Sequence, residues 1–354
     1  MNKVYNIQAL RAVAAISVML FHFHYKLLNS DQFSWLSSLF AGGGDGVSLF
    51  FVISGFIMIV STNNKMGIED ALYFAKSRVI RIIPTYYIAL IICFLCYGAM
   101  SNFHYPDKIK EFVDAATFSL NNPTKSPFIN VDTPFGIRWT LNYEIYFYFV
   151  FALCIITKRK LLALMTWGTA IVLINYIPTI GTSVNFNDIN FKNAYANFVI
   201  SPIILQFLIG ALAGKIYLST NSNDVHKSIK ITISLLLIVS TAILVRFNNS
   251  LLDFITTGII YAVILLIASK CDVKVKGLNI IYIIGDASFM LYMTHKSIGE
   301  LVFKSMSKNN LGFTFLVASI ASIAVAIALY YYVEKPITRK LKNISWPRVK
   351  LLKA

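Results

Sequence analysis

The stretch IQALRAVAAISVMLFHFHYKLL, from Ile7 to Leu28, has the length and composition of a membrane helix, yet its apolar run includes the ionisable side chains of Arg11 and His22. About 20 mainly apolar residues cross a bilayer as a helix. His22 follows Arg11 by eleven residues, which returns to within roughly 20° of the same face and rises about 16 Å along the axis. Ionisable groups at membrane depth usually face a protein-lined cavity. The alternative is that they only mark the two membrane interfaces.

The composition of the whole chain indicates a polytopic membrane protein. Of 354 residues, 57% are hydrophobic and only 14% are charged, and the mean hydropathy is +0.66. Soluble domains rarely contain so little charge. The net charge of +16 would suggest nucleic acid in a soluble protein, but the basic residues cluster in short connections and in the tail. Membrane proteins carry an excess of Lys and Arg in their cytoplasmic loops, which explains this pattern, so we expect no nucleic-acid partner.

Ten apolar runs are long enough to span a membrane, at about 17 to 25 residues each. They lie near 7–27, 46–62, 82–100, 139–157, 161–178, 198–219, 229–247, 251–269, 278–302 and 311–334. Basic residues follow every second run, which places both termini in the cytoplasm. The sequence therefore predicts an all-α bundle of about ten transmembrane helices. Residues 1–340 form the membrane domain, and residues 341–354 form a basic cytoplasmic tail.

Three segments fall on the opposite, outer side of the membrane in this topology. They are 26–45, 101–138 and 179–197. The second is long enough to be a functional lid or a binding loop. The chain shows no internal repeat and no zinc-ligand pattern, so no bound metal is expected.

Four titratable residues are predicted to lie at a similar depth in the outer half of the membrane: His22, Asp45, Glu144 and His295. Two imidazoles and two carboxylates at one level can orient and charge one another, which is what a general base needs. A buried Glu144 needs a partner, and His22 and His295 are the candidates nearest in depth. The sequence fixes height only, so these residues could also be scattered around the bundle.

A second group of candidate site residues lies at the cytoplasmic level. Arg78 and Arg81 are three residues apart, so they are neighbours on a helical surface, just before Pro84, which is expected to begin the third span. Paired guanidiniums suit bidentate phosphate recognition. Together with Arg11 they suggest a channel in which the arginines bind the phosphate group of a ligand. The other end of the ligand would then extend across the bilayer. The alternative is that they are ordinary cytoplasmic basic residues.

Small residues and one tryptophan give further local signals. The glycines of 42–46 permit a tight, left-handed backbone before the second span. Ser54 and Gly55 permit close helix approach within that span. Trp139 is expected at the outer interface, where an aromatic belt is typical. Packing alone is a sufficient explanation for the small residues.

Six motifs, in order and over nearly the whole chain, resemble those of the acyltransferase-3 family of integral membrane O-acyltransferases, bacterial members of which modify polysaccharides. The first is Leu-Arg followed after ten residues by His, found here as Leu10-Arg11 and His22. The others are GVSLFFVISGF at 46–56, Arg78-x-x-Arg81 followed by Pro84, WTLNYE at 139–144, GDASFMLYMTH at 285–295 and VEKP at 333–336. Phe289 stands where the family more often has Tyr. The sequence WTLNYE is similar to the form that this motif takes in the exopolysaccharide-production branch of the family.

The resemblance implies a reaction and roles for the candidate residues. Acetyl-CoA, or another acyl-CoA, would be a donor substrate rather than a bound cofactor, with its phosphates near Arg11, Arg78 and Arg81. His22 would act as general base on an acceptor hydroxyl and Glu144 would orient it; an acetyl-His intermediate is the variant. Asp45, Ser54, Gly55, Trp139 and His295 would support the site.

The resemblance also implies where the protein works and with what. The expected partners are the lipid bilayer, acyl-CoA, a saccharide acceptor and polysaccharide biosynthesis machinery, and the expected location is the bacterial cytoplasmic membrane. The competing interpretation is a secondary transporter of an anionic or lipid-linked solute, which also needs a central charged cavity. A structural or sensor protein would leave the outer imidazoles and carboxylates unexplained.

Overall fold

The computed structural model describes residues 4–28, 31–120, 138–176, 194–201, 203–220, 226–247, 254–306 and 310–344, and the regular structure of these residues is entirely helical. In chain order the α-helices are α1 (Tyr5–His24), α2 (Ser34–Phe40), α3 (Gly46–Ser61), α4 (Ile68–Cys96), α5 (Pro106–Ala116), α6 (Trp139–Ile156), α7 (Lys160–Tyr176), α8 (Ala194–Val199), α9 (Ile204–Ser219), α10 (Lys227–Phe247), α11 (Phe254–Lys270), α12 (Asn279–Asp286), α13 (Ser288–Ser305), α14 (Leu311–Leu329) and α15 (Lys335–Lys342). The predicted all-α class is confirmed for this part of the chain.

Seven helical stretches in the described ranges are long and apolar enough to cross a membrane, fewer than the ten predicted. α7 and α11 are apolar but shorter, with apolar stretches Lys160–Ile174 and Ile255–Lys270. The run 278–302 is divided at Ala287 into α12 and α13. The chain is therefore an integral membrane protein whose predicted runs all coincide with helices, although three of them are too short or interrupted.

The first helix lies inside the bundle. α1 packs against α3, α10, α12 and α13, and 67% of its apolar window is buried, compared with 22% for α10. A helix that is apolar around most of its circumference is stable when other helices enclose it. Arg11 and His22, both half-buried, are thus carried by a helix that protein surrounds.

α4 differs from the expectation that Pro84 begins a span. The helix begins sixteen residues earlier, at Ile68, after Gly67 at a φ of 90°, and Pro84 lies in its interior. Proline removes one backbone donor, which a helix tolerates when packing supports it on both sides. Consequently Arg78 and Arg81 project from the body of a long helix.

The glycines that precede α3 also differ from expectation. Residues Ala41–Asp45 form a 3₁₀ turn, and the glycines at positive φ are Gly67, Gly98 and Gly277, so the left-handed backbone predicted for 42–46 is wrong. Space is the reason for glycine here, because a Cβ at Gly43 would lie 2.3 Å from the Ser17 carbonyl oxygen of α1.

Parts of the predicted outer segments and of the tail lie outside the described residues, namely 29–30, 121–137, 179–193 and 345–354. The described part of segment 101–138 contains α5. Its C-terminal end is bound to α4, because the Tyr86 and Tyr87 hydroxyls donate hydrogen bonds to the carbonyls of Ala115 (2.7 Å) and Ala116 (2.8 Å).

Candidate active site

A cavity of about 850 Å³, including its open mouth, lies between α1, α3, α4, α6 and α13. Apolar side chains such as Phe50, Phe51 and Ile57 form much of its wall. The polar and charged lining residues are Arg11, Ser54, Arg78, Arg81, Thr140, Glu144, Tyr148, Ser288 and Tyr292. Ligand sites commonly combine an apolar wall with a few convergent polar groups.

All three predicted donor-binding arginines line this one cavity. Arg78 lies beside two aromatic rings that meet edge to face, with its guanidinium carbon 5.1 Å from the Phe74 centroid and 5.2 Å from that of Tyr148. Such cation–π contacts orient a planar guanidinium while leaving its N–H donors available. The structure thus brings together residues from α1 and α4 that are about 70 positions apart in the sequence.

Carboxylates balance these cations. Glu144 lines the cavity and accepts a hydrogen bond from the Tyr148 hydroxyl, one turn further along α6. Asp286 and Glu334 are also within electrostatic reach of Arg11, and Glu334 is within reach of Arg81. Glu334 is 6% exposed and ends a π-helical turn, Tyr330–Glu334. π-turns are frequent at functional sites.

Sequence reasoning assigned no role to several of these residues. Asp286 and Glu334 appeared only as letters of motifs, and Tyr148 and Tyr292 did not stand out among many aromatics. A signal was present for the two carboxylates, since acidic residues inside or beside apolar runs usually have a buried partner. The tyrosines offered no comparable signal, because tyrosine is common in apolar helices.

The two predicted imidazoles meet beside the cavity. His295 Nε2 lies 3.1 Å from His22 Nδ1, and the ring centroids are 5.0 Å apart. His22 Nδ1 is also 2.9 Å from the Val18 carbonyl oxygen, and His295 Nδ1 is 2.9 Å from that of Leu291. Glu144 does not contact His22; it lines the arginine cavity, where it accepts the hydrogen bond from Tyr148. The residue in contact with His22 is His295, whereas the sequence predicted Glu144 for this role.

Tyr292 stands between the cavity and the imidazole pair. Its side chain lines the cavity, its hydroxyl accepts a hydrogen bond from Thr140 (3.0 Å), and its ring centroid is 6.1 Å from that of His295. His22 is not among the described residues that line the cavity. The Tyr292 ring therefore lies next to both the arginine-lined cavity and the histidine pair.

The remaining supporting residues have different positions. Ser54 lines the cavity, whereas Gly55 faces α9, where an added Cβ would lie 2.0 Å from the Phe207 carbonyl oxygen. Asp45 ends the 3₁₀ turn that packs on α1. Trp139 is buried, with its ring 6.1 Å from that of Tyr143, so it is not exposed on the outside of the bundle as the aromatic-belt interpretation expected.

The fold and the site define a class: a helical integral membrane protein with an arginine-lined cavity inside the bundle and a histidine pair beside it. Comparison with known proteins adds the family. The chain belongs to the acyltransferase-3 family, whose sequence model, described as an acyltransferase domain, matches residues 4–331. The predicted family resemblance and enzyme class are confirmed, and the carrier interpretation loses its support.

Three relatives illustrate the similarity. The "Exopolysaccharide production protein ExoZ" of Rhizobium meliloti (strain 1021) is 28% identical over 315 residues, which cover 85% of this chain and 91% of ExoZ. The "Putative O-acetyltransferase SACOL0978" of Staphylococcus aureus (strain COL) is 23% identical over 98% of this chain and 59% of its own length. "Nodulation protein 10" of Rhizobium leguminosarum bv. viciae is 24% identical over 59% of each chain.

The chain thus spans nearly all of ExoZ but little more than half of the other two relatives. No solved structure matches the chain significantly.

Proposed function

We propose that this protein transfers an acetyl or other short acyl group from acyl-CoA to a hydroxyl of a saccharide. The observation that carries the proposal is the convergence of Arg11, Arg78 and Arg81 on one cavity next to the His22–His295 pair. The acceptor class is taken from ExoZ, whose name refers to exopolysaccharide production. We place the enzyme in the bacterial cytoplasmic membrane, with the donor entering from the cytoplasm.

The arginine cavity suits the phosphorylated end of acyl-CoA. Guanidiniums bind phosphate through paired N–H donors, and a partly dry cavity strengthens each contact. The pantetheine arm reaches roughly 15–20 Å, comparable with the rise of about 16 Å from Arg11 to His22 on one helix. We propose that the thioester passes the Tyr292 ring to reach the imidazoles. Glu144 then serves the donor site, where it fixes Tyr148 and balances the arginines.

The chemistry assigned to the histidine level is general-base catalysis. His22 takes the proton of the acceptor hydroxyl as its oxygen bonds to the thioester carbon, the C–S bond breaks, and the CoA thiolate leaves and receives that proton. A covalent acetyl-His22 intermediate is the variant of this route, and a burst of CoA release without acceptor would identify it. Both routes require His22.

The test uses purified protein in detergent, acetyl-CoA labelled in the acetyl group, and surface polysaccharide from the cells that carry the protein, stripped of O-acetyl groups with mild base. Alkali-labile label in the polysaccharide supports the proposal. The His22→Ala variant should lower kcat by about 10²- to 10⁴-fold, whereas His226→Ala, at the exposed start of α10, should be unchanged. Full activity of His22→Ala, or CoA uptake into proteoliposomes without acyl transfer, would refute it.

A further inference from the structure

His295 is a buried imidazole next to backbone carbonyls of its own helix and a second imidazole. It is 0% exposed, on α13, and its ring also neighbours Phe23 and Tyr292 at 6.3 and 6.1 Å. A buried polar group is stable only when its hydrogen-bonding capacity is used. Nδ1 of His295 contacts the Leu291 carbonyl and Nε2 contacts His22, and the Tyr292 carbonyl is a further backbone acceptor of this ring.

These contacts determine which nitrogen of His295 carries the proton. A carbonyl oxygen only accepts hydrogen bonds, so the 2.9 Å contact with Leu291 requires a proton on Nδ1 of His295. A neutral imidazole then has an unprotonated Nε2, which acts as an acceptor. His22 Nδ1, 3.1 Å away, must therefore be the donor.

An independent contact leads to the same tautomer of His22. Its Nδ1 lies 2.9 Å from the Val18 carbonyl oxygen, which again requires the proton on Nδ1. The N–H is shared between Val18 and His295, and both contacts leave Nε2 of His22 with a lone pair. That lone pair is what a general base needs.

We propose that His295 is a positioning residue for acyl transfer: as a neutral acceptor it holds His22 in the Nδ1–H tautomer and leaves Nε2 of His22 to take the acceptor's proton. The inference rests on the proposed function and deepens it. When His22 Nε2 receives the hydroxyl proton, the positive charge appears on a ring whose Nδ1–H already donates to His295 Nε2. His295 itself gains and loses no proton, and the C–O bond forms as the C–S bond breaks.

The kinetic test compares His295→Gln with His295→Asn. The Gln amide oxygen reaches the position of the imidazole Nε2 and can accept from His22, whereas Asn is one carbon shorter and cannot. We expect His295→Gln to keep kcat within about tenfold of the wild type and His295→Asn to lose about 10²-fold or more, with KM for acetyl-CoA unchanged in both. Equal activity of Asn and wild type, or equal losses in Gln and Asn accompanied by equal losses of thermal stability, would overturn the proposal.

A spectroscopic test reads the tautomers directly in the wild-type enzyme. The chain has five histidines, so ring-labelled histidine gives few NMR signals, and loss of a signal in His22→Gln and His295→Gln assigns the pair. We expect a proton on Nδ1 and none on Nε2 in both rings. A proton on Nε2 of either ring would refute the inference. Because this measurement needs no turnover, it can succeed even if the wild type fails to transfer acetyl groups, an outcome that would refute the proposed function alone.

Discussion

The contacts of Arg78 orient its side chain before an anion binds. Its guanidinium lies against the Phe74 and Tyr148 rings, and the Tyr148 hydroxyl donates a hydrogen bond to Glu144. Contact with both rings restricts the guanidinium before phosphate binds, so less side-chain entropy is lost on binding. A lysine would supply the charge without the plane.

We therefore expect Arg78→Lys to raise KM for acetyl-CoA by about tenfold, corresponding to the loss of roughly 1.4 kcal/mol of cation–π and bidentate contact, with little change in kcat. Steady-state kinetics with saturating acceptor measures this. Arg159→Lys, on an exposed connection between α6 and α7, is the control and should behave as the wild type. An unchanged KM in Arg78→Lys would remove Arg78 from the donor site.

Glu334 is expected to oppose phosphate binding, because it places a negative charge near the arginines assigned to the phosphorylated donor. It is buried, its Oε2 has no hydrogen-bond partner among the described residues, and it is within electrostatic reach of Arg11 and Arg81. With the donor absent, this carboxylate compensates part of the arginine charge. With the donor present, it repels phosphate.

We expect Glu334→Gln, which keeps the shape and removes the charge, to tighten CoA binding about fivefold, for roughly 1 kcal/mol of relieved repulsion across a partly screened distance. Isothermal titration of CoA into protein in detergent measures the dissociation constant. Glu300→Gln serves as control, since Glu300 pairs with Lys26 and Lys304 away from the cavity. Weaker binding in Glu334→Gln would show that Glu334 chiefly holds the arginines in place.

At the scale of elements, α3 and α9 pack with their backbones in contact. A Cβ at Gly55 would lie 2.0 Å from the Phe207 carbonyl oxygen, and a Cβ at Gly210 would lie 2.1 Å from that of Val52. Small residues allow such approach between membrane helices. Because α3 also forms part of the cavity wall, this contact holds that wall against α9.

Gly55→Ala and Gly210→Ala should each destabilise the protein by about 1–3 kcal/mol, since the added methyl group meets backbone that must shift. The melting temperature in detergent is the measurement. Gly44→Ala is the matched control, because its Cβ would meet the Phe21 ring at an ordinary 3.5 Å. Equal melting temperatures for all three variants would contradict the close packing of α3 on α9.

Close approach of glycines also positions α12 and α13, the two helices on either side of the interruption at Ala287. A Cβ at Gly285, near the end of α12, would lie 2.0 Å from the Gln8 carbonyl oxygen, and one at Gly299, on α13, would lie 2.2 Å from the Phe23 ring. The two glycines bring α12 and α13 against opposite ends of α1. His295 lies between these contacts and so reaches His22.

At the scale of the whole molecule, the basic connections predict one orientation in the membrane. We expect a cysteine at position 159, between α6 and α7, to be cytoplasmic and one at position 104, between α4 and α5, to be outside. In intact cells, a membrane-impermeant maleimide should label His104→Cys at once and Arg159→Cys only after permeabilisation. Three of the four native cysteines are buried, which limits background labelling. The reverse pattern would invert the proposed paths of donor and acceptor.

The sequence by itself determined the membrane class, the helical fold and the family, because hydropathy and the spacing of residues along a helix are local properties. It also grouped Arg11 with Arg78 and Arg81, and the structure brings the three to one cavity. Only the tertiary structure decided the angular positions. In the structure Glu144 lies with the arginines rather than beside His22, and the partner of His22 is His295. Helix rotation and crossing depend on close packing between distant segments, such as Gly285 against Gln8, and no local pattern encodes them.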